Sequence, residues 1–138
     1  MYTFGKSSTE KLSTCRNELR IVANEAIKLV DFSIIHGYRT ESEQNMIFSQ
    51  GFSMLQFPNS KHNTNPSDAF DFVPYPVDWK DTRQFAYIAG IILGIGLAKG
   101  IVLRWGGDWN QNGKINDERF LDFGHIEFMR NLNDKQGE

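Results

Sequence analysis

The chain has 138 residues, a net charge of −2, 40% hydrophobic residues and 23% charged residues. This composition excludes a disordered chain and supports one globular domain with its own core. The near-neutral charge gives no overall basic field to attract nucleic acid, and the single cysteine, Cys15, excludes an intramolecular disulfide. The longest apolar run, 86–98, has 13 residues, whereas spanning a bilayer takes about 17 or more.

The first half of the chain predicts two helices with a strand between them. Capping residues at 7–10 precede apolar side chains at helical spacing, which predicts a helix over 8–30. The β-branched and aromatic segment that follows predicts a short strand ending at Gly37. Residues 40–43 (TESE) resemble a capping box, so we expect a second helix that runs to about Gln50 and is closed by Gly51.

The second half predicts a loop, a helix and three strands. Residues 51–68 are rich in Ser, Asn, Pro and Gly, which is typical of a loop. An apolar pattern over 78–99 predicts a buried third helix. The predicted strands are AFDFVPY (69–75), IVLRWG (101–106) and FGHIEF (123–128). We therefore predict a single α+β domain over 1–138, with helices packed on a small antiparallel sheet.

Two of the predicted strands turn polar side chains away from the core. Alternation places Asp71 on the face opposite to Phe70 and Phe72, and it places His125 and Glu127 together on one face. With His62 from the loop, Asp71 and His125 would supply two imidazoles and one carboxylate, the composition of a catalytic zinc site that keeps one position for water. The alternative is a sheet whose polar face simply meets solvent.

Hydrolysis at such a site also needs a base. Asp122 lies three residues before His125 and is the first candidate. Glu127 is the second candidate, either as the base or as a hydrogen-bond partner of a zinc ligand. The sequence therefore predicts a zinc cleft on the sheet with carboxylates beside it.

The order of these residues resembles a known family of zinc peptidases. That family includes D-alanyl-D-alanine carboxypeptidases, vancomycin-resistance dipeptidases and phage L-alanyl-D-glutamate endolysins. Its pattern is Ser-x-His, a short loop, Ala-x-Asp, and later an acidic residue three positions before a histidine. The matching segments are GYRT (37–40), SKH (60–62), AFD (69–71), RWGGDW (104–109, similar to the phage branch) and DFGH (122–125).

The resemblance implies a role for each matching residue. His62, Asp71 and His125 would be the zinc ligands. Asp122 would activate the water and later protonate the leaving amine. Arg39 would stabilise the oxyanion, the alternative being a surface salt-bridge partner after a turn. Ser60 would bind substrate or only shape its loop.

The spacing between the first two ligands departs from the family pattern. Asp71 lies nine positions after His62, about two residues further than is usual in the family, which costs little loop-closure entropy. Asp68, six positions after His62, is an alternative ligand. Asp71 is preferred because it keeps the Ala-x-Asp-Phe context and the phase of the strand.

A second metal loop is a candidate at 108–119 (DWNQNGKINDER). It fits part of a calcium-loop template, but position 12 is Arg119, so Glu118 or Asp117 would have to replace the usual glutamate. The alternative is an Asx-rich turn cluster. The candidate calcium ligands are Asp108, Asn110, Asn112, Lys114 (through its backbone carbonyl) and Asn116.

The resemblance implies a zinc peptidase that cuts the peptidoglycan stem peptide, with the L-alanyl-D-glutamate bond as the first choice because the segments of the phage branch match best. The polar N-terminal segment has no signal-peptide pattern, so we expect a monomeric phage endolysin that is made in the host cytoplasm and released by a holin. We expect no nucleic-acid partner and no membrane insertion. The alternatives are a D-alanyl-D-alanine carboxypeptidase or dipeptidase, a catalytically inactive zinc-containing wall-binding module, and a calcium-controlled structural protein.

Overall fold

A computed structural model describes residues 1–115 and 121–133. In this part of the chain it has four α-helices, a short 3₁₀ helix and four β-strands. The elements are α1 (Lys6–Leu12), α2 (Asn17–Ala26), β1 (Phe32–His36), α3 (Glu41–Ser49), the 3₁₀ helix (Lys61–Asn63), β2 (Ala69–Pro74), α4 (Thr82–Ala98), β3 (Ile101–Gly106) and β4 (Asp122–Asn131). Within these two ranges, the helices are too short or too polar to cross a membrane.

The four strands form one antiparallel sheet in the order β1-β2-β4-β3. Its register brings polar residues of neighbouring strands together. Asp71 lies opposite His36 of β1 on one side and opposite His125 of β4 on the other. Glu127, two residues further along β4, lies opposite Arg104 of β3. One face of the sheet therefore carries adjacent ionisable side chains.

The other face of the sheet packs against the helices. Phe70 and Phe72 of β2 are fully buried there, and the Phe72 ring lies 5.7 Å from Phe85 of α4 and 5.9 Å from Phe32 of β1. Helix α4 also contacts β3 and β4 and packs against α2. The predicted α+β class, with helices on a small antiparallel sheet, is confirmed.

The prediction of one continuous helix over 8–30 is wrong. The helix breaks between α1 and α2, where the chain pairs with the segment that precedes β2: Ser67 N donates to Thr14 O and Ser67 O accepts from Arg16 N. Gly37 packs into this break, and a side chain there would collide with Lys11 O and with Thr14 Oγ1. The partner is remote in sequence, so helical spacing alone could not indicate the interruption.

The other predicted helices are close to the observed ones. Helix α3 begins with the expected capping box, in which Thr40 Oγ1 accepts from Glu43 N and Glu43 accepts from Thr40 N. Gly51, at a φ of 80°, follows the helix as predicted. Helix α4 begins at Thr82 rather than at residue 78, because Asp81 accepts from Gln84 N and caps it.

An ionic cluster fastens the start of α2 to the sheet. Arg16 donates to Glu18 and to Asp68 at 3.1 Å, and its guanidinium lies 3.6 Å from the centre of the Phe128 ring. Glu18 also accepts from Asn131 Nδ2 at 2.9 Å. Hydrogen bonds from Arg16 and Asn131 outweigh partial burial and lower the pKa of Glu18 to about 2.

This depressed pKa makes a prediction about stability and pH. Glu18 should stabilise the fold above its ordinary pKa of 4.5, and that contribution should disappear as the pH falls towards about 2. Glu18→Gln should lower the free energy of unfolding by about 1 kcal/mol at pH 7 and by much less at pH 2, because the pair is partly exposed. Urea denaturation at both pH values measures the difference. Glu25→Gln, in an exposed pair with Lys28, is the matched control; a pH-independent effect of Glu18→Gln would contradict the assignment.

Candidate metal centre

Three side chains from separate elements meet on the polar face of the sheet. His62 comes from the 3₁₀ helix, Asp71 from β2 and His125 from β4. His62 Nε2 lies 3.2 Å from Asp71 Oδ1 and 3.3 Å from His125 Nδ1, and His125 Nδ1 lies 3.3 Å from Asp71 Oδ1. All three side chains are buried. Over residues 1–115 and 121–133 they form the one group of His, Cys, Asp or Glu side chains placed to share a metal ion.

The surroundings of the two histidines fix where their protons lie. His62 Nδ1 is 2.8 Å from Gly37 O, and His125 Nε2 is 2.8 Å from Glu127 Oε1. Both partners can only accept a hydrogen bond, so each of these ring nitrogens carries the proton. In a neutral imidazole the other nitrogen then has a free lone pair. Both free lone pairs therefore belong to the atoms that meet Asp71 Oδ1.

This arrangement of lone pairs fits a bound cation. When both imidazoles are neutral, two ring nitrogens and a carboxylate oxygen converge without a proton to share, which is unfavourable in a buried site unless a positive charge, either a proton on a histidine or a bound cation, lies among them. In a tetrahedral site with ligand distances of about 2.0–2.1 Å, neighbouring ligand atoms are about 3.3–3.4 Å apart. The three separations of 3.2, 3.3 and 3.3 Å match one face of such a tetrahedron.

Arg39 holds the second oxygen of Asp71. Its Nη2 donates to Asp71 Oδ2 at 2.6 Å and its Nη1 donates to Gln44 Oε1 at 3.2 Å. Arg39 is only 9% exposed, so the alternative of a surface salt bridge is wrong. Burial raises the pKa of Asp71, but the charges and hydrogen bonds of His62 and His125 outweigh it and hold that pKa well below its ordinary value. Asp71 is therefore a carboxylate at neutral pH.

A second chain of contacts runs from His125 across β4 to β3. Glu127 accepts from His125 through Oε1 and from Arg104 Nη2 through Oε2, the latter at 2.8 Å. Burial lowers the pKa of His125, yet the hydrogen bonds to Asp71 and Glu127 raise it to about 9 in the metal-free site. The site thus favours a positive charge at this position, which a metal ion would supply.

Asp122 stands at the first residue of β4 and borders the same cleft. Burial is the main cause that raises its pKa above the ordinary value, and the negative charge of Asp71 adds to the effect. A carboxylate with a raised pKa binds a proton more readily, which suits a group that accepts and returns protons. Asp122 is not one of the three converging ligands.

The longer loop leaves Asp71, not Asp68, beside the two histidines. Asp68 instead pairs with Arg16 at 3.1 Å, and its backbone N–H donates to Lys61 O. That bond closes a loop over residues 62–67, and its middle residues 64–66 are exposed. The spacing of nine positions therefore still brings the His62 imidazole and the Asp71 carboxylate together, as the family pattern requires.

Ser60 shapes the loop that carries His62. Its hydroxyl accepts from His62 N at 3.2 Å, and its N–H donates to Asn63 Oδ1 at 3.0 Å, which caps the 3₁₀ helix. Ser60 also borders the cleft. Contact between Ser60 and a substrate stays a prediction.

The candidate calcium loop is described only in part. Asp108 accepts from Asn112 N and Gly113 N, and Asn112 Oδ1 accepts from Lys114 N. Asn110 Oδ1 accepts from Asn112 N as well. These bonds are those of an Asx-rich turn. Asn116 and the substitutes Asp117 and Glu118 lie outside the described residues, so calcium binding stays a prediction without further support.

Sequence reasoning missed several residues that orient the ligands. The carbonyl of Gly37 fixes His62, Arg104 fixes Glu127, and the Trp109 ring lies 5.3 Å from the His125 ring. Strand alternation offered a signal for Arg104, since it places Leu103 and Trp105 inward and Arg104 on the polar face with Glu127. No signal of this kind existed for the Gly37 carbonyl, which depends on the tertiary fold.

The fold and the cluster together define a small α+β domain with a buried cluster of two histidines and one carboxylate, placed to hold a metal ion, on an antiparallel sheet. The sequence pattern of the phage L-alanyl-D-glutamate peptidase family matches residues 1–129, and the chain belongs to this family. The resemblance found in the motifs is thereby confirmed.

Two individual proteins illustrate this similarity. The L-alanyl-D-glutamate peptidase of Escherichia phage T5 is 38% identical over 137 residues, which cover 93% of this chain and 98% of that protein. The crystal structure of the L-Ala D-Glu endopeptidase ChiX of Serratia marcescens superposes with a TM-score of 0.72 at 26% identity, and the match covers 92% of this chain and 90% of that one.

Proposed function

We propose that this chain is a zinc-dependent peptidase that hydrolyses the L-alanyl-D-glutamate bond of the peptidoglycan stem peptide and serves as a phage endolysin. The observation that carries the proposal is the triangle of His62, Asp71 and His125 donor atoms, with Asp122 in the same cleft, in a chain of this family. The two similar proteins carry names that specify this bond.

Zinc is the metal proposed for the three ligands. Two neutral imidazole nitrogens and one carboxylate oxygen form a donor set typical of catalytic zinc. When bound, zinc would lower the pKa of a coordinated water to about 7 and polarise the scissile carbonyl. Glu127 and the Gly37 carbonyl would keep both imidazoles in the tautomer that exposes a lone pair to the metal.

The proton transfers are assigned to Asp122. As a carboxylate bordering the cleft, it would accept the proton of the attacking water and then donate it to the amine of the departing D-glutamyl residue. Arg39 is assigned to the negative charge that develops on the carbonyl oxygen, and it also orients Asp71 through the bond to Oδ2.

Digestion of purified peptidoglycan tests the proposal. The expected products are muropeptides that end in L-alanine and free stem peptides that begin with D-glutamate, both identified by mass spectrometry. A chelator should abolish their formation and equimolar Zn²⁺ should restore it, because activation of the water would require the bound cation. Purified protein should also contain about one zinc per chain.

Other products would reject the assignment. Release of terminal D-alanine alone would indicate the carboxypeptidase or dipeptidase alternative. Wall binding with no cleavage would indicate the inactive module. Cleavage that ignores the chelator would contradict a metal-dependent reaction. Release from the host cytoplasm by a holin, and the monomeric state, stay predictions.

A further inference from the structure

The cleft beside the metal centre has two halves that differ in charge and polarity. Arg39, Phe52 and Asp122 border both halves and therefore stand at their junction. We call the first the cationic half; its further lining includes Ser60, Lys61, Arg104, Trp109 and Glu127. We call the second the apolar half; its further lining includes Ile35, His36, Ile47 and Trp79. A substrate that crosses the junction would place one side of its scissile bond in each half.

The charged residues distinguish the two halves. Arg39 and Asp122 are common to both halves. The cationic half also contains two positive side chains, Lys61 and Arg104, and one negative side chain, Glu127. The apolar half also contains the carboxylate of Asp71, and the described part of its lining has no lysine or arginine besides Arg39. An anionic group is therefore favoured in the cationic half, and an uncharged group is favoured in the apolar half.

Arg104 is held in place while keeping donors available. Its Nη2 donates to Glu127 and its Nη1 to Trp109 O at 3.4 Å, and the guanidinium lies 5.3 Å from the centre of the Trp109 ring. A guanidinium has five N–H groups, so these two bonds to described residues leave further Nη protons. The side chain is 30% exposed. Such a fixed, partly exposed guanidinium is suited to a carboxylate.

The substrate has one free carboxylate close to the scissile bond. Glutamate has two carboxyl groups, and the stem peptide can continue through only one of them. The other is a carboxylate at neutral pH and belongs to the residue on the departing side of the bond. On the other side lies L-alanine, whose side chain is a methyl group.

We propose that the D-glutamyl residue lies in the cationic half, where Arg104 and Lys61 bind its free carboxylate, and that L-alanine lies towards the apolar half. This inference rests on the proposed function and adds a direction for the substrate. Asp122 at the junction then borders the position of the departing amine. Arg104 is thus a specificity-determining residue for the carboxylate, in addition to orienting Glu127.

Two substrates that differ in one group test the inference. They are muropeptides that contain D-glutamate with either a free carboxylate or a carboxamide at that position. The zinc-loaded enzyme should cleave the carboxylate form with a kcat/KM about tenfold higher, chiefly through KM. Arg104→Gln should remove most of this preference by slowing the carboxylate form selectively, and Arg104→Lys should retain part of it. Lys61→Gln should reduce the preference less, because Lys61 is exposed and solvent screens its charge.

Matched variants separate recognition from structural damage. Arg130→Gln removes an exposed cation at the far end of β4 and should leave the preference unchanged. Trp79→Ala, in the apolar half, should lower kcat/KM for both substrates by the same factor. Equal slowing of both substrates by Arg104→Gln would overturn the inference, since it would mean that Arg104 acts only through Glu127.

The remaining outcomes are also decisive. If the unmodified enzyme cleaves both substrates with equal kcat/KM, the carboxylate site is rejected while the proposed function stands. If Trp79→Ala changes the preference, the direction of the substrate is wrong. If neither substrate is cleaved at the L-alanyl-D-glutamate bond, the proposed function fails and the inference fails with it.

Discussion

Asp122→Asn should abolish cleavage of peptidoglycan while the metal content stays at the level of the unmodified protein. Asparagine has nearly the same shape but cannot accept or return a proton at neutral pH. Asp122 borders the cleft without being one of the three converging ligands, so the metal should remain. The expected loss in kcat is about 10²–10⁴-fold, the usual contribution of a positioned acid–base group. Product release by mass spectrometry and zinc content by elemental analysis provide the two measurements.

Asp81→Asn is the matched control for this substitution. Asp81 caps α4 and is not part of the described lining of the cleft, and asparagine can cap a helix equally well. This variant should keep both activity and metal. Near-normal activity of Asp122→Asn would exclude Asp122 as the base and leave Glu127 to be tested in its place. Loss of the metal in Asp122→Asn would show that Asp122 helps to hold it.

Asp71→Ala should remove the metal and also destabilise the metal-free fold. The substitution deletes one of the three donors and leaves the buried Arg39 guanidinium without its carboxylate partner. Breaking a buried ion pair by removing one partner costs about 3–5 kcal/mol. With zinc present the difference should be larger, because the ion would bind and stabilise only the folded state of the unmodified protein. Urea denaturation with and without a chelator separates the two contributions.

Asp68→Ala is the control for the choice between the two aspartates of this segment. It loses only the partly exposed pair with Arg16, so it should retain the metal and cost at most about 1 kcal/mol. A variant of Asp68 that loses the metal, or a variant of Asp71 that keeps it, would reverse the assignment. Equal stability of unmodified protein and Asp71→Ala under chelation would show that the Arg39 pair contributes nothing net.

The polar face of the sheet was predictable because strand alternation is a local property. Asp71 between two phenylalanines, and His125 with Glu127, could be assigned to one face from their spacing alone. The choice of Asp71 over Asp68 followed from the same phase of the strand, and the observed register agrees with it. The roles of Asp71 and His125 as zinc ligands came from the resemblance to the family rather than from this spacing.

The features that the sequence could not indicate all depend on remote partners. The break between α1 and α2 arises from hydrogen bonds to Ser67, and the local spacing of apolar residues cannot indicate a contact with a residue so remote in sequence. The burial of Arg39 arises because Asp71 and Gln44 surround it, whereas an arginine after a turn is usually exposed. The loop between His62 and Asp71 could not be judged from its length, because it is held by backbone hydrogen bonds that length does not indicate, among them Asp68 N to Lys61 O and Ser67 N to Thr14 O.

Gly37 joins the break in the helices to the metal centre. Its Cα has no space for a side chain beside Lys11 and Thr14, while its carbonyl accepts from His62. The amino-terminal helices therefore cannot be treated as an independent module in chimaeras or truncations. A lysin assembled from two relatives with a junction between α2 and β1 would pair Gly37 with a foreign helix break. Such a chimaera could retain every ligand and base and still bind metal poorly, so residues 11–16 and Gly37 should be exchanged together.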